Sequence, residues 1–280
     1  MSILEGKRQG SLNLVDAVKV MRRGTFYVFE SRMRVQAKWW KQILLGQMAN
    51  PVLYLMSVGV GVSAMISKNS GSNAIDGVTY LTFLAPALLA SAAIQSAMDE
   101  TIWPTMEGFR WHKTFFAMNA TPLTGNQIGI GIFISALVRT LSSILIYFLS
   151  LIPFHALPSG KAWLAIPAAL FAGASFGAMM LAVAAYAEKA DVMFVIINRF
   201  VIMPLFLFSG TFYPLNTLPM AVRWFGWISP LWHATELGRY FTYGHSIAGR
   251  ILLVHFIFLF IPIVIGLTLA LRRFTYRLAR

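Results

Sequence analysis

Charged and titratable residues inside apolar surroundings are where a chain of this kind would do chemistry, and here they are few. Arg139 stands inside the apolar region Ile128 to Ile152, about eleven residues in and so ~16 Å deep at the helical rise. An arginine at that depth is costly and faces a bundle interior or a wet cavity, with a partner. Glu236 is the acidic residue expected on the outer side besides Asp76, so it is the expected partner; the functional alternative is that Arg139 meets an anionic headgroup crossing the protein. Asp99 and Glu100 are adjacent carboxylates, which invites acid–base chemistry, but neighbours on a helix point about 100° apart and the expectation is a solvated helix end. The five histidines, His112, His155, His233, His245 and His255, show no metal-ligand spacing with Asp or Glu, and cysteine is absent, so no metal site is expected. His255 is expected to be a packed interhelical hydrogen-bonding group. The sequence holds no Gly-x-x-x-x-Gly-Lys-Ser/Thr phosphate loop and no Gly-x-Ser-x-Gly elbow. No catalytic site is expected on this chain, and nucleotide hydrolysis would require another.

The elements that position these residues are long apolar stretches with the charges pushed between them. Charge is absent from Gln42 to Ser67, Gly77 to Met98, Ala162 to Ala187, Phe200 to Val222 and Ile251 to Leu271. A helix needs about 20 apolar residues to cross the hydrocarbon core. Charged residues make up 12% of the chain and hydrophobic ones 58%, against roughly 25% charged in a soluble domain, and no soluble core absorbs that much apolar surface. The fold expected is an all-α integral membrane protein forming a single domain over 1–280. Its six transmembrane helices are expected at 42–67, 77–98, 128–152, 162–187, 194–213 and 251–271.

Basic residues crowd one side of these spans. Lys7, Arg8, Lys19, Arg22, Arg23, Arg32, Arg34, Lys38 and Lys41 precede the first span; Arg272, Arg273, Arg277 and Arg280 follow the last. By the positive-inside rule both termini are expected in the cytoplasm. The excess of 23 basic over 10 acidic residues is thereby a topology signal, and nucleic acid is not an expected partner. The tryptophans avoid the middles of the spans, as indole rings settling at headgroup depth would. No apolar run follows the first basic residues, so no cleavable signal peptide is expected and targeting falls to the first span.

Three further segments carry pattern. Phe26, Phe29, Met33, Ala37 and Trp40 recur at steps of three and four and share one helical face, with Arg23, Glu30, Arg34, Lys38 and Lys41 along its flank. They suit an amphipathic helix lying in the membrane interface; the plainer alternative is a basic flank that enforces orientation. The connection Asp99 to Gln127 mixes aromatics with both signs of charge, which suits a docking surface more than a solvated linker. From Tyr213 to Arg250 the chain is apolar yet broken by Pro214, Pro219 and Pro230, and 214–250 is expected to form short re-entrant helices in the outer leaflet, since irregular backbone at membrane depth needs cover from protein or water. The run Ala172-Gly173-Ala174-Ser175-Phe176-Gly177-Ala178 places small residues on successive turns and marks a close helix–helix contact.

The order of these parts resembles the membrane subunit of ABC-2 type exporters, with the nodulation-factor (lipooligosaccharide) permease branch the nearest likeness. The likeness is clearest in Leu207-Phe208-Ser209-Gly210-Thr211-Phe212-Tyr213-Pro214-Leu215, in Leu218-Pro219 and in Ile228-Ser229-Pro230-Leu231-Trp232-His233-Ala234-Thr235-Glu236; Met106-Glu107-Gly108-Phe109 and Thr121-Pro122-Leu123 add a second stretch. The resemblance implies a homodimer in a bacterial inner membrane, bound to two separate ATPase subunits that hold ATP and Mg, with no cofactor on this chain. It implies that Met106, Glu107, Phe109, Arg110, Trp111, His112 and Lys113 form a coupling helix against the ATPase. The interfacial helix (Phe26, Phe29, Met33, Arg34, Lys38, Trp40) would flank it and touch membrane lipids. A path for an amphiphilic substrate would run beside Arg139, Phe206, Phe208, Phe212, Tyr213, Trp232 and Glu236, although packing alone explains any single ring. A lipid-linked saccharide and a drug or antibiotic both remain open as cargo. A stand-alone secondary transporter is the alternative class; against it stand the few ionisable groups in the spans and the want of an inverted repeat. An intramembrane enzyme would need a carboxylate or histidine cluster that only Asp99–Glu100 approaches.

Overall fold

The computed structural model describes residues 17–62, 75–187 and 191–279; Lys7, Arg8, positions 68–74 of the loop after the first expected span, Lys189 and Arg280 lie outside them. Helix α1 (Ala17–Lys38) ends at Trp39, whose backbone (φ −105°, ψ 15°) turns the chain into α2 (Trp40–Tyr54), which carries on as a π-helical stretch over Leu55–Val62 just after Pro51. Helix α3 (Tyr80–Met106) starts where Thr79 Oγ1 accepts from the Thr82 N–H at 3.3 Å, satisfying one of the donors a helix start leaves open. It does not stop at residue 98 but continues as a π-helical turn to Trp111. A short α4 (Thr114–Asn119) follows, and α5 (Gly125–Leu151) opens on a reciprocal cap between Thr124 and Gln127, a strong local start signal. Next come α6 (Ala165–Tyr186), α7 (Asp191–Ile197) leading through a π-helical turn into α8 (Met203–Phe208), the short α9 (Met220–Trp227), α10 (Pro230–Tyr243) and α11 (Gly249–Leu278).

Four of these helical stretches, Tyr80–Trp111, Gly125–Phe154, Ala162–Tyr186 and Gly249–Leu278, are long and apolar enough to cross a membrane. α2 with its π-helical extension, and α7–α8, lie where the first and fifth spans are expected.

The small-residue run does what its spacing predicts, and within the subunit. α6 lies between α3 and α11. A Cβ built on Gly173 would come within 3.0 Å of the Ala93 carbonyl oxygen, and one on Gly177 within 3.1 Å of Ala97. On the other side a Cβ on Gly266 of α11 would sit 2.5 Å from the Ala178 carbonyl carbon. Backbones this close leave no room for a side chain, so helix packing here depends on glycine. α3 and α6 are mostly buried in the protein, whereas α11 exposes Leu253, Ile257, Phe260, Val264 and others. Exposed apolar surface on that scale belongs against lipid or another chain.

α1 packs on the start of α5. Val28 is fully buried against Gly131, and the Gln127 side-chain amide donates to the Met21 carbonyl at 2.6 Å. The inward face is thus Gly24, Val28, Arg32 and Gln36, one residue per turn. The aromatic face at steps of three and four points elsewhere: Phe26 and Trp40 are exposed, Phe29 and Met33 half-buried.

Candidate translocation cavity

α3 and α5 run antiparallel, and their register brings two polar rungs together, with a third beyond them supplied by α1. Ser143 Oγ donates to Ser96 Oγ at 3.1 Å, and Gln47 of α2 bonds the same Ser143. One turn along each helix, Arg139 Nε stands 3.5 Å from Glu100 Oε1, while the Gln36 amide of α1 donates to Glu100 Oε2 at 2.9 Å. Beyond that, Arg32 of α1 lies 3.7 Å from Glu107, which also meets His112 Nδ1 at 3.1 Å. Two expectations are corrected here. Arg139 pairs with Glu100, not Glu236. Asp99 and Glu100 do not end the helix, because it continues about eleven residues past Glu100 to Trp111.

The first two rungs form one wall of a cavity of about 520 Å³, within the size range of small-molecule sites. α3 contributes Ser91, Gln95, Ser96, Asp99 and Glu100; α5 contributes Arg139, Ser143 and Tyr147; α2 adds Gln47 and Tyr54; Asn198 and Phe206 close it from the α7–α8 side. From Leu88 to Glu100 it follows α3 for ~18 Å. Asp99 is held by Gln95, whose Nε2 lies 3.2 Å from each carboxylate oxygen. The Gln47 Oε1 and Arg139 Nε atoms are buried without a hydrogen-bond partner, which leaves hydrogen-bonding capacity in the wall.

Of the expected path residues, Arg139 and Phe206 line this cavity, and Phe212 packs edge-on to Phe206 at 5.2 Å. Phe208 stacks toward Phe225 at 6.4 Å, Tyr213 donates its hydroxyl to the Leu207 carbonyl at 2.9 Å, and Trp232 lies against His233 and His255; none of the three lines it. Glu236 belongs to a separate cluster at the far end. There Arg239, with a side chain 2% exposed, donates to Glu236 at 2.9 Å and to the Gly210 carbonyl at 2.7 Å, and its guanidinium lies 3.8 Å over the Phe83 ring. His245 stands 3.4 Å from both Asp76 and Glu236. His255 does meet a partner across helices, with its Nδ1 2.6 Å from His233 Nδ1.

At the opposite end lies the expected coupling segment. Met106 and Phe109 are buried, the latter among Phe115, Phe274 and the Arg277 guanidinium at 4.0 Å. Glu107 and Arg110 are half-exposed, His112 and Lys113 exposed. Trp111 is exposed and stacks on Trp103 at 6.0 Å. Lys113 adopts φ 52°, a left-handed turn that reverses the chain into α4. On α1, Arg34 pairs with Glu30 at 2.7 Å and Lys38 is exposed. Sequence reasoning missed Gln47, Gln95, Glu100 as a partner, Ser143 and Arg239. The signal was present: Arg139, Ser143 and Tyr147 repeat at four, as do Ser91, Gln95 and Asp99, and such stripes face one another when two helices run antiparallel.

Several membrane-length helices packed around one cavity define a multi-pass membrane protein. A model of the ABC-2 type transporter family matches residues 25–243, and the chain belongs to that family, as the membrane component of a transporter. It is similar to Nodulation protein J of Rhizobium leguminosarum bv. viciae, 29% identical over 244 residues that cover 84% of this chain and 90% of that one. Nodulation protein J of Neorhizobium galegae is 28% identical over 247 residues (84% and 90%), and that of Rhizobium meliloti strain 1021 is 27% identical over 221 residues (71% and 75%). The likeness to the nodulation-factor permease branch therefore holds over most of the chain.

Proposed function

We propose that this chain is the permease subunit of an ATP-driven exporter and moves an amphiphile, such as a lipid-linked saccharide or lipooligosaccharide, out of a bacterial inner membrane. In this reading it spans the membrane six times with both termini cytoplasmic, α9 and α10 re-enter the outer leaflet, and two copies bind two ATPase subunits that hold ATP and Mg. The observation that carries it is the continuity from the exposed turn at Glu107–Lys113 to the cavity. α1 touches both, through Arg32 at Glu107 and Gln36 at Glu100, and α3 is one continuous helix between them. Closure of the ATPases against the turn would thereby move the cavity wall. The exposed Trp103–Trp111 stack, with His112 and Lys113 beside it, gives such a partner an aromatic anchor of the kind that dominates interfaces. The test is co-purification of the chain with its candidate ATPase. The wild type is expected to hold the ATPase through size exclusion, and Glu107→Ala with Trp111→Ala to lose it; equal retention by both would sink the coupling assignment.

A further inference from the structure

The cavity is lined mainly by apolar side chains, among them Leu88, Phe176, Ile202, Phe206 and Leu231, and the charges on its polar wall do not balance. Arg139 and Glu100 answer one another at 3.5 Å. Asp99 has no such counterpart: Gln95 Nε2 and the Trp103 side chain bond it, and no ion pair reaches it among the described residues. The remaining polar lining is hydroxyl and amide, from Ser91, Ser96, Ser143, Tyr54, Gln47 and Asn198. Such a wall solvates a head rich in hydroxyl or amide groups, because each donor and acceptor finds a neutral mate.

Among the described lining residues an anionic head finds no cation besides Arg139. With Asp99 ionised it meets a like charge; with Asp99 protonated it gains one hydrogen bond and still no positive counterpart. Taking Arg139 for itself would strip Glu100 of its ion-pair partner and oblige that carboxylate to take up a proton, which offsets part of the gain. We propose that the cavity accepts amphiphiles whose heads hydrogen-bond but carry no anionic group, and that Asp99 is the specificity-determining residue that turns anionic heads away. The inference rests on the permease reading. It also separates two roles that charge plays in this chain: the basic α1, with Arg22, Arg23, Arg34 and Lys38, attracts anionic lipid surfaces, and the cavity keeps those same lipids out of the path.

A like charge one head's width away, ~8 Å, at an effective dielectric near 20 weakens binding by roughly ten- to thirtyfold. The test uses the full chain in phosphatidylcholine nanodiscs and two fluorescent amphiphiles with one acyl chain, an alkyl glucoside and its 6-phosphate ester. Equilibrium anisotropy titrations at constant salt give the ratio of their dissociation constants. The wild type is expected to favour the glucoside by at least about tenfold, and Asp99→Asn to shrink that ratio severalfold through tighter binding of the phosphate. Asp99→Glu, which keeps the charge, is expected to keep the preference and serves if Asp99→Asn fails to fold. Equal or tighter binding of the phosphate by the wild type overturns the inference, as does an unchanged ratio in Asp99→Asn or binding of neither amphiphile. No ATPase is present in this assay, so its failure is separable from failure of the permease reading, which loss of ATPase association would reveal.

Discussion

Replacing Glu100 should damage the bundle more than replacing the arginine it faces, and replacing both should restore most of the loss. Glu100 and Arg139 side chains are 21% and 14% exposed and 3.5 Å apart. At an effective dielectric near 20 their attraction is about 5 kcal/mol before desolvation is subtracted. Glu100→Gln leaves a permanent cation in the wall with its Nε already lacking a hydrogen bond. Breaking a buried pair from one side costs about 3–5 kcal/mol, and the residual exposure brings the expectation to about 3 kcal/mol. That corresponds to a fall in Tm of about 6–12 °C for a chain of this size. Arg139→Met is expected to cost less, about 1–2 kcal/mol, because the stranded Glu100 can take a proton and keeps Gln36 as a partner. The double variant is expected to lose at most about 1 kcal/mol, giving a coupling of about 3–5 kcal/mol. Thermal unfolding in nanodiscs, followed by tryptophan fluorescence at several scan rates, measures all four forms. Additive losses would refute the pairing. So would coupling of Arg139→Met to Glu236→Gln, since Glu236 is bound by Arg239.

Two other substitutions probe the frame around the cavity. Arg239→Met removes the Gly210 bond, the Glu236 pair and the contact with Phe83 at once; a loss of about 3–5 kcal/mol is expected from the stranded carboxylate and carbonyl, read as a lower Tm, and a shift under about 1 °C would show the cluster to be inert. Gly266→Ala forces a methyl against the Ala178 backbone at 2.5 Å and is expected to cost about 1–3 kcal/mol by overpacking. Gly249→Ala, which meets nothing within 4 Å, should leave Tm unchanged or slightly raised, and equal falls for the two would contradict the close crossing.

The membrane-length helices were legible because a bilayer imposes one thickness on every crossing segment, and the run 172–178 was legible because close backbone approach has no substitute for small side chains. The prolines at 214, 219 and 230 likewise announced short helices, observed as α9 and α10. The polar wall was not legible from hydropathy. An uncharged window ends at Met98, so Asp99 and Glu100 read as the membrane surface although the helix runs on to Trp111. Pairing Arg139 with Glu100 needs the register of two helices, which a single sequence supplies only as stripes spaced by four. Arg239 escaped notice for the same reason: its burial is made by Phe83 and Gly210, far away in the chain. On α1 the conspicuous rings drew notice to the outward face, while Gly24 and Val28 seat the helix on α5 through contacts that composition does not mark.

The central claim is that the Glu107–Lys113 turn transmits ATPase motion to the cavity. The most direct measurement is ATP turnover of the chain reconstituted with its candidate ATPase in lipid nanodiscs, with and without bacterial lipid extract, for wild type and for Glu107→Ala with Trp111→Ala. Turnover that rises with extract in the wild type and not in the variant is the predicted result. An ATPase whose turnover ignores the chain, while the chain alone moves solute down an ion gradient, would contradict the account.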